Sequence, residues 1–205
     1  MQIQDHGNYR LFHCPFCDLV FSHPMKHPGK DFYEKHYQTR FVEPPVIRWA
    51  HKMFLNNSFI KKGTLLDIGC GRCDFLHLAQ KIGFNVTGID IDEASILEGK
   101  KRYGLQGLHI IMIDEMIDAF KDKHFDVIAF FEVLEHMVEP NSFIKQVKYL
   151  LKKGGYVFLS VPNRSRLVKS KGDRPPKHFT RWNEKSLKVL LEKNDFEILD
   201  LKKRQ

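Results

Sequence analysis

The chain has 205 residues, 42% of them hydrophobic, which suffices for one α/β domain with a sizeable core plus a small appendage and excludes wholesale disorder. Its 33 Lys and Arg outnumber 25 Asp and Glu, for a formal net charge of +8; such a balance favours an anionic partner only where the charges gather on one face, and most of them are spread along the chain. No run of roughly 18 apolar residues is present, which excludes a membrane-spanning helix, and the polar start from Met1 to Leu11 has no apolar stretch of the kind a secretory leader carries.

Residues 1–30 read as a small module bearing cysteines and histidines. The four cysteines form two C-x-x-C pairs, Cys14/Cys17 and Cys70/Cys73. Without a leader, thiols or metal ligands are expected rather than disulfides, and the chain is expected to be cytoplasmic. Residues 31–60 read as a helical lead-in, with Pro44-Pro45 starting a helix that carries Val46, Ile47, Trp49, Ala50, Phe54 and Leu55.

From residue 61 the pattern changes to alternating strands and helices. Strands are predicted at Thr64–Ile68, Asn85–Ile89, Leu108–Met112, Phe125–Phe130, Tyr156–Val161 and Phe196–Leu201. Helices are predicted at Asp74–Ile82, Ala94–Tyr103, Asn141–Leu151 and Glu184–Lys193, with Lys152-Lys153-Gly154-Gly155 closing the third. Apolar strands that alternate with helices indicate a doubly wound, mainly parallel sheet over residues 61–205. Basic residues gather in one predicted loop (Arg164, Arg166, Lys169, Lys171, Arg174, Lys177) and at Lys202, Lys203 and Arg204. The loop could line an entrance for an anionic substrate, and long loops in compact domains are often functional.

The segment Asp67-Ile68-Gly69-Cys70-Gly71-Arg72-Cys73-Asp74 joins the first strand of this series to its first helix. Glycines there allow a tight turn and let a ligand approach the backbone. Asp90 closes the next strand about twenty residues on, where a carboxylate can bind ribose hydroxyls. A dinucleotide fingerprint would read G-x-G-x-x-G, but Asp74 stands where its third glycine belongs. That argues against a nicotinamide-dependent oxidoreductase. The Cys70/Cys73 pair lies inside the turn and reads as small side chains filling it.

These residues resemble the D-x-G-x-G motif of class I S-adenosylmethionine-dependent methyltransferases. Phe125-Asp126-Val127-Ile128 followed by Val133-Leu134-Glu135-His136 is similar to the branch that includes ubiquinone and menaquinone biosynthesis methyltransferases. The resemblance implies a Rossmann-like fold, Asp67, Gly69 and Gly71 around the methionine portion of S-adenosylmethionine, and Asp90 on its ribose. It implies Asp114, or Glu115 in its place, near the adenine, and Glu132 and His136 on the cleft side. Cys73 takes the position of a frequent third glycine. His178, after Pro175-Pro176, resembles a P-x-H signature near the acceptor pocket, so His136 and His178 are the expected catalytic residues; a bracing role for each stands beside that reading. The usual fold has a seventh strand, which is expected to be missing after Phe196–Leu201: either the sheet is trimmed, a partner completes it, or the chain is a truncated version.

The Cys14/Cys17 segment resembles one knuckle of a zinc ribbon. Tetrahedral zinc takes four ligands, so Cys14 and Cys17 would need two of His6, His13, His23 and His27. The expected activity is methyl transfer from S-adenosylmethionine to a small-molecule acceptor. The alternative is a non-catalytic methyltransferase-like module with a basic face for nucleic acid.

Overall fold

The computed structural model describes residues 1–6, 8–26, 46–165 and 173–203. The chain divides into two compact units. One comprises Glu34–Phe131 and Gln146–Ser160; the other gathers Met1–Tyr33, Glu132–Lys145 and Val161–Gln205.

The first unit is built on a five-stranded parallel sheet. Its strands are β4 (Thr64–Ile68), β5 (Asn85–Asp90), β6 (Leu108–Ile110), β7 (Phe125–Phe131) and β8 (Leu151–Ser160), in the order β6-β5-β4-β7-β8. The order reverses at β4, whose two neighbours are β5 and β7. In an open α/β sheet this switch point is where ligands bind, beyond the carboxyl ends of the strands. The helices are α1 (Trp49–Leu55), α2 (Asp74–Lys81), α3 (Glu93–Tyr103) and the short α4 (Met116–Ala119). Helix α5 (Pro140–Leu150) leads directly into β8.

The sheet is buried on both faces, which is why β4 and β7 are apolar almost throughout. Leu65, Leu66, Ile68, Val127, Ile128, Ala129 and Phe130 are all inaccessible to solvent. Phe54 of α1 meets the rings of Phe75, Phe84 and Phe158 at 5.0, 5.4 and 5.3 Å, so the lead-in helix belongs to this core. At the amino end of the sheet the Asp126 carboxylate accepts bonds from the Thr64 backbone and hydroxyl, at 2.8 and 2.7 Å, and from Lys152 at 2.8 Å. That carboxylate ties β4, β7 and β8 together.

The second unit holds a four-stranded antiparallel sheet of β1 (Gln2–His6), β2 (Tyr9–His13), β3 (Val20–His23) and β9 (Thr180–Arg181), in that order. Helix α6 (Glu184–Lys193) follows β9 and is capped by Asn183, whose side chain accepts from Ser186 N–H. Buried apolar residues of this unit include Leu11, Val20, Leu134, Phe143, Ile144, Phe179 and Trp182.

The expected strand at Phe196–Leu201 is not formed: residues 196–203 belong to no ladder among the described residues. The alternation that suggested it is real, since Phe196 and Ile198 are half-buried and Glu197 and Leu199 exposed, but period-two burial makes a strand only where a partner supplies the ladder. Pro44-Pro45 and the basic residues Arg166, Lys169, Lys171 and Arg204 lie outside the described residues. Among those described, no helix is long and apolar enough to cross a membrane.

Candidate functional site

The glycine turn is held from below by β5. Gly69 and Cys70 both donate their N–H to the Ile89 carbonyl, at 2.9 and 3.0 Å. Gly69 and Gly71 lie at φ 73° and 48°, left-handed values that glycine adopts without steric cost. A Cβ on Gly71 would meet nothing within 4 Å, so the turn presents bare backbone to an approaching ligand.

Two carboxylates flank this turn. Asp90 accepts the Gly71 N–H at 2.7 Å on Oδ2 and the Asp92 N–H at 2.9 Å on Oδ1. Asp67 ends β4, is 2% exposed, and its Oδ1 has no hydrogen-bond partner. Burial raises the pKa of both, and the Asp90 charge raises that of Asp67 further. A buried carboxylate oxygen without a donor is costly, and a ligand that brings an ammonium or hydroxyl group would remove that cost.

Cys73 sits at φ 60° as the residue before α2, in the left-handed region, and is fully buried. Its Sγ lies 3.8 Å from that of Cys70. The Cys73 thiol and burial push the Cys70 thiol well up, and both side chains are buried in the apolar core of the first unit. Asp74, in the first turn of α2, accepts from the Tyr103 hydroxyl at 2.5 Å and from Val46 N–H at 3.1 Å. An acid there suits the positive end of the helix. The His51 ring packs on Phe131 and Phe75 at 4.5 and 5.2 Å, and burial lowers its pKa to about 4. Sequence reading had no signal that α1 packs on the helix of this turn.

Asp114 is exposed in a 3-10 turn (Ile113–Glu115) that follows β6. Glu115 accepts the Met112 N–H at 3.1 Å, so Glu115 caps the turn beside Asp114.

In the second unit Glu132 has φ 58°, a left-handed value unusual for a residue with a side chain. It precedes a 3-10 turn, Leu134–His136, that carries Glu135 and His136. His178 joins them. The His136 and His178 rings meet edge to face, with centroids 4.7 Å apart, and each Nε2 is 3.9 Å from Glu135 Oε1. Phe179 N–H bonds to the Glu135 carbonyl at 2.9 Å, which fixes the two segments on each other. His136 Nδ1 donates to the Lys177 carbonyl at 2.6 Å, and His178 Nδ1 lies 2.9 Å from Asp173. Burial, then the neighbouring His178, lowers the His136 pKa to about 4, so its ring is neutral at neutral pH. Both histidines expected from the sequence thus meet. Glu135 was missed as their companion, although its position directly before His136 was the available signal.

Cys14 and Cys17 flank a tight knuckle in which Cys14 N–H bonds to Leu19 O and Asp18 N–H to Cys14 O, each at 2.9 Å. Backbone donors from Cys17 lower the Cys14 pKa, while burial raises that of Cys17. Of the histidines expected to complete a zinc set, His13 Nε2 is turned to Asp18 at 2.5 Å and His23 packs edge-on against Phe12. His6 is in β1, and His27 lies outside the described residues. Asp18 also binds Arg164 at 2.8 Å and Asn183, so Arg164 of the basic loop serves as a strut. Among the described residues no third metal-ligating group gathers with Cys14 and Cys17; Glu135, His136 and His178 form such a group.

Comparison with known proteins agrees with the fold. A family described as "Methyltransferase domain" matches residues 35–201. Curated relatives include the ubiquinone biosynthesis O-methyltransferases of Shewanella pealeana, 36% identical over 105 residues (49% of this chain, 44% of that protein), and of Pasteurella multocida, 37% identical over 113 residues (49% and 47%). The matched region therefore spans less than half the length of these relatives. Among solved structures, a SAM-dependent methyltransferase from Archaeoglobus fulgidus superposes with a TM-score of 0.57 at 24% identity, covering 68% of this chain and 63% of that one. The plantazolicin methyltransferase BpumL, solved with SAH, superposes with a TM-score of 0.52 at 20% identity, covering 69% and 57%. Both structures share the fold of this chain.

Proposed function

The chain belongs to the methyltransferase-domain family, and from that premise we propose that it transfers a methyl group from S-adenosylmethionine to an oxygen atom of a small-molecule acceptor. The observation that carries the reading is the pair of buried acids at the glycine turn. Asp67 offers a buried oxygen that lacks a donor, and Gly71 offers bare backbone beside the Asp90 carboxylate. These residues fit the donor: Asp67, Gly69 and Gly71 would take its amino acid portion, Asp90 the ribose and Asp114 the adenine. Glu132 is retained as a further donor-side acid.

When bound, the donor supplies a methyl group on a sulfonium, already reactive toward a lone pair. The protein's share of the work is alignment and exclusion of water. The turn does the first by holding the donor against a rigid strand–helix junction. On the acceptor side the reading keeps His136 and His178 as the catalytic pair, their Nδ1 atoms set by Lys177 and Asp173. The oxygen acceptor is taken from the ubiquinone biosynthesis O-methyltransferases that the chain resembles.

Calorimetric titration with S-adenosylmethionine, alongside Asp90→Ala, tests the reading. Binding that the variant loses supports it. A folded protein that binds no donor overturns it and leaves a non-catalytic module.

A further inference from the structure

We propose that His51 is a ligand-binding residue of the first unit, its Nε2–H donating a hydrogen bond to an oxygen of the substrate held beyond the carboxyl ends of β4 and β7. What is bound there rests on the methyl-transfer reading; where the proton sits does not.

The ring of His51 is placed by two others. It meets Phe131 edge to face, with centroids 4.5 Å apart, and lies tilted against Phe75 at 5.2 Å, while Phe75 and Phe131 are themselves 4.8 Å apart. Phe131 is the last residue of β7, beside the end of β4 in the parallel register, and Phe75 is the second residue of α2, just past the glycine turn. The bond from Val46 N–H to Asp74 at 3.1 Å ties the approach to α1 to the same helix start. A half-buried histidine is thus fixed at the switch point of the sheet, where an open α/β sheet binds its ligands.

The backbone decides which ring nitrogen carries the proton. Arg48 N–H donates to His51 Nδ1 at 3.3 Å, the reach of a third helical residue back to the residue that caps the helix. An N–H only donates, so Nδ1 holds the lone pair, and in a neutral imidazole the proton is then on Nε2. Burial, with the Arg48 charge behind it and Asp74 opposing, brings the pKa down to about 4, so the ring is neutral at neutral pH. Among the described residues Nε2 has no hydrogen-bond partner. A half-buried N–H without an acceptor forgoes a bond that a ligand oxygen would restore. With its lone pair taken and its other nitrogen protonated, His51 binds and orients an oxygen; it does not remove a proton from one.

Two groups in the reaction bring such an oxygen: the carboxylate of the donor's amino acid portion and the acceptor oxygen itself. Asp67 and the glycine turn, which would take that portion, close β4. Phe131 closes β7, the neighbour of β4 on the side away from Asp90. An N–H packed against Phe131 therefore faces the amino acid end of the donor and whatever approaches beside it.

Proton–nitrogen correlation spectra of the histidine rings in the unaltered protein are expected to show His51 protonated on Nε2, with that resonance shifting when S-adenosylhomocysteine is added or, on the protein so loaded, when phenol is added as an oxygen probe. Calorimetry separates the two sources. His51→Phe keeps a ring against Phe75 and Phe131 and loses the N–H. With the donor carboxylate as partner, this variant binds S-adenosylhomocysteine roughly ten- to a hundredfold more weakly, and methylthioadenosine, which lacks the amino acid portion, as the parent does. With the acceptor oxygen as partner, S-adenosylhomocysteine binding is parental and phenol binding to the loaded protein falls by about tenfold or more. His51→Gln, whose amide N–H can stand near the place of Nε2, should recover a large part of either loss, which a merely structural histidine would not allow. The proposal is overturned if the proton is on Nδ1, if the Nε2 resonance moves with neither probe, or if His51→Phe binds both probes like the parent. Failure of the methyl-transfer reading looks different: a folded parent that binds neither S-adenosylhomocysteine nor S-adenosylmethionine.

Discussion

The Gly71 N–H donates to the Asp90 carboxylate at 2.7 Å, so the acid that closes β5 also sets the shape of the turn that follows β4. A ligand gripped by Asp90 is thereby gripped by a residue that braces the backbone beside it. On the donor-binding reading proposed above, recognition and support would share one side chain.

Asp90→Ala is expected to lower both donor affinity and stability. A hydrogen bond to a charged group is worth about 1.5–3 kcal/mol, a factor of roughly ten to a hundred in binding. Asp90→Asn keeps one acceptor oxygen and should fall between parent and alanine. Calorimetry and thermal melting measure the two effects; a variant with parental affinity would remove Asp90 from the site.

Donor binding should weaken toward acid pH, beginning above the ordinary carboxylate range. The pKa of Asp67 is raised by burial and by Asp90, so its carboxyl regains a proton at a higher pH than a solvated aspartate. The protonated form is the poorer partner for a cationic ligand. Affinity should rise with pH through that range, with proton release on binding, and Asp67→Asn should flatten the profile. Titrations in buffers of different ionisation enthalpy count the protons.

Acid should also loosen the amino end of the parallel sheet through Asp126. Lys152, then the Thr64 backbone, hold its pKa down at about 2. A depressed folded-state pKa contributes stability above the unfolded value of about 4, and that stability is lost as pH falls from about 4 through about 2. Asp126→Asn is expected to melt lower than the parent at pH 6, with the difference shrinking over that window. Its partly exposed setting keeps the effect modest. Melting curves between pH 2 and pH 7 check it.

Gly99 faces Cys73 closely: a Cβ there would stand 2.6 Å from Cys73 Sγ. Gly99→Ala should therefore overpack the site, at a cost of about 1–3 kcal/mol. Cys73→Gly removes the sulfur and relieves a left-handed residue with a side chain, so the double variant should regain most of the loss. A double-mutant cycle by chemical denaturation measures the coupling; additive effects would sink the account.

The parallel sheet and the glycine turn were legible because their signals are local. The strands β4 and β5, the Asp67-to-Asp74 turn and Asp90 all lie between Thr64 and Asp90, and the later strands alternate with helices in the same way. The second unit was not legible for the opposite reason. β9 is two residues long and pairs with β3 across more than 150 residues of chain, which no short-range period can announce. Phe196–Leu201 shows the converse error, a strand period with no ladder. His136 and His178 were singled out by resemblance, but their meeting with Glu135 depends on a bond from Phe179 to the Glu135 carbonyl, and sequence does not display such closures.

The Cys73 sulfur occupies volume left vacant by a glycine on a neighbouring element, Gly99 of α3. Cysteine and glycine thus form a matched pair in which one member can grow only as the other shrinks. Across relatives the two positions should drift together: a chain with glycine at position 73 is released to carry alanine at 99, and one that keeps the cysteine is not. Inheritance at this turn is then a property of pairs of positions, and a substitution tolerated in one lineage can be lethal to the fold in another.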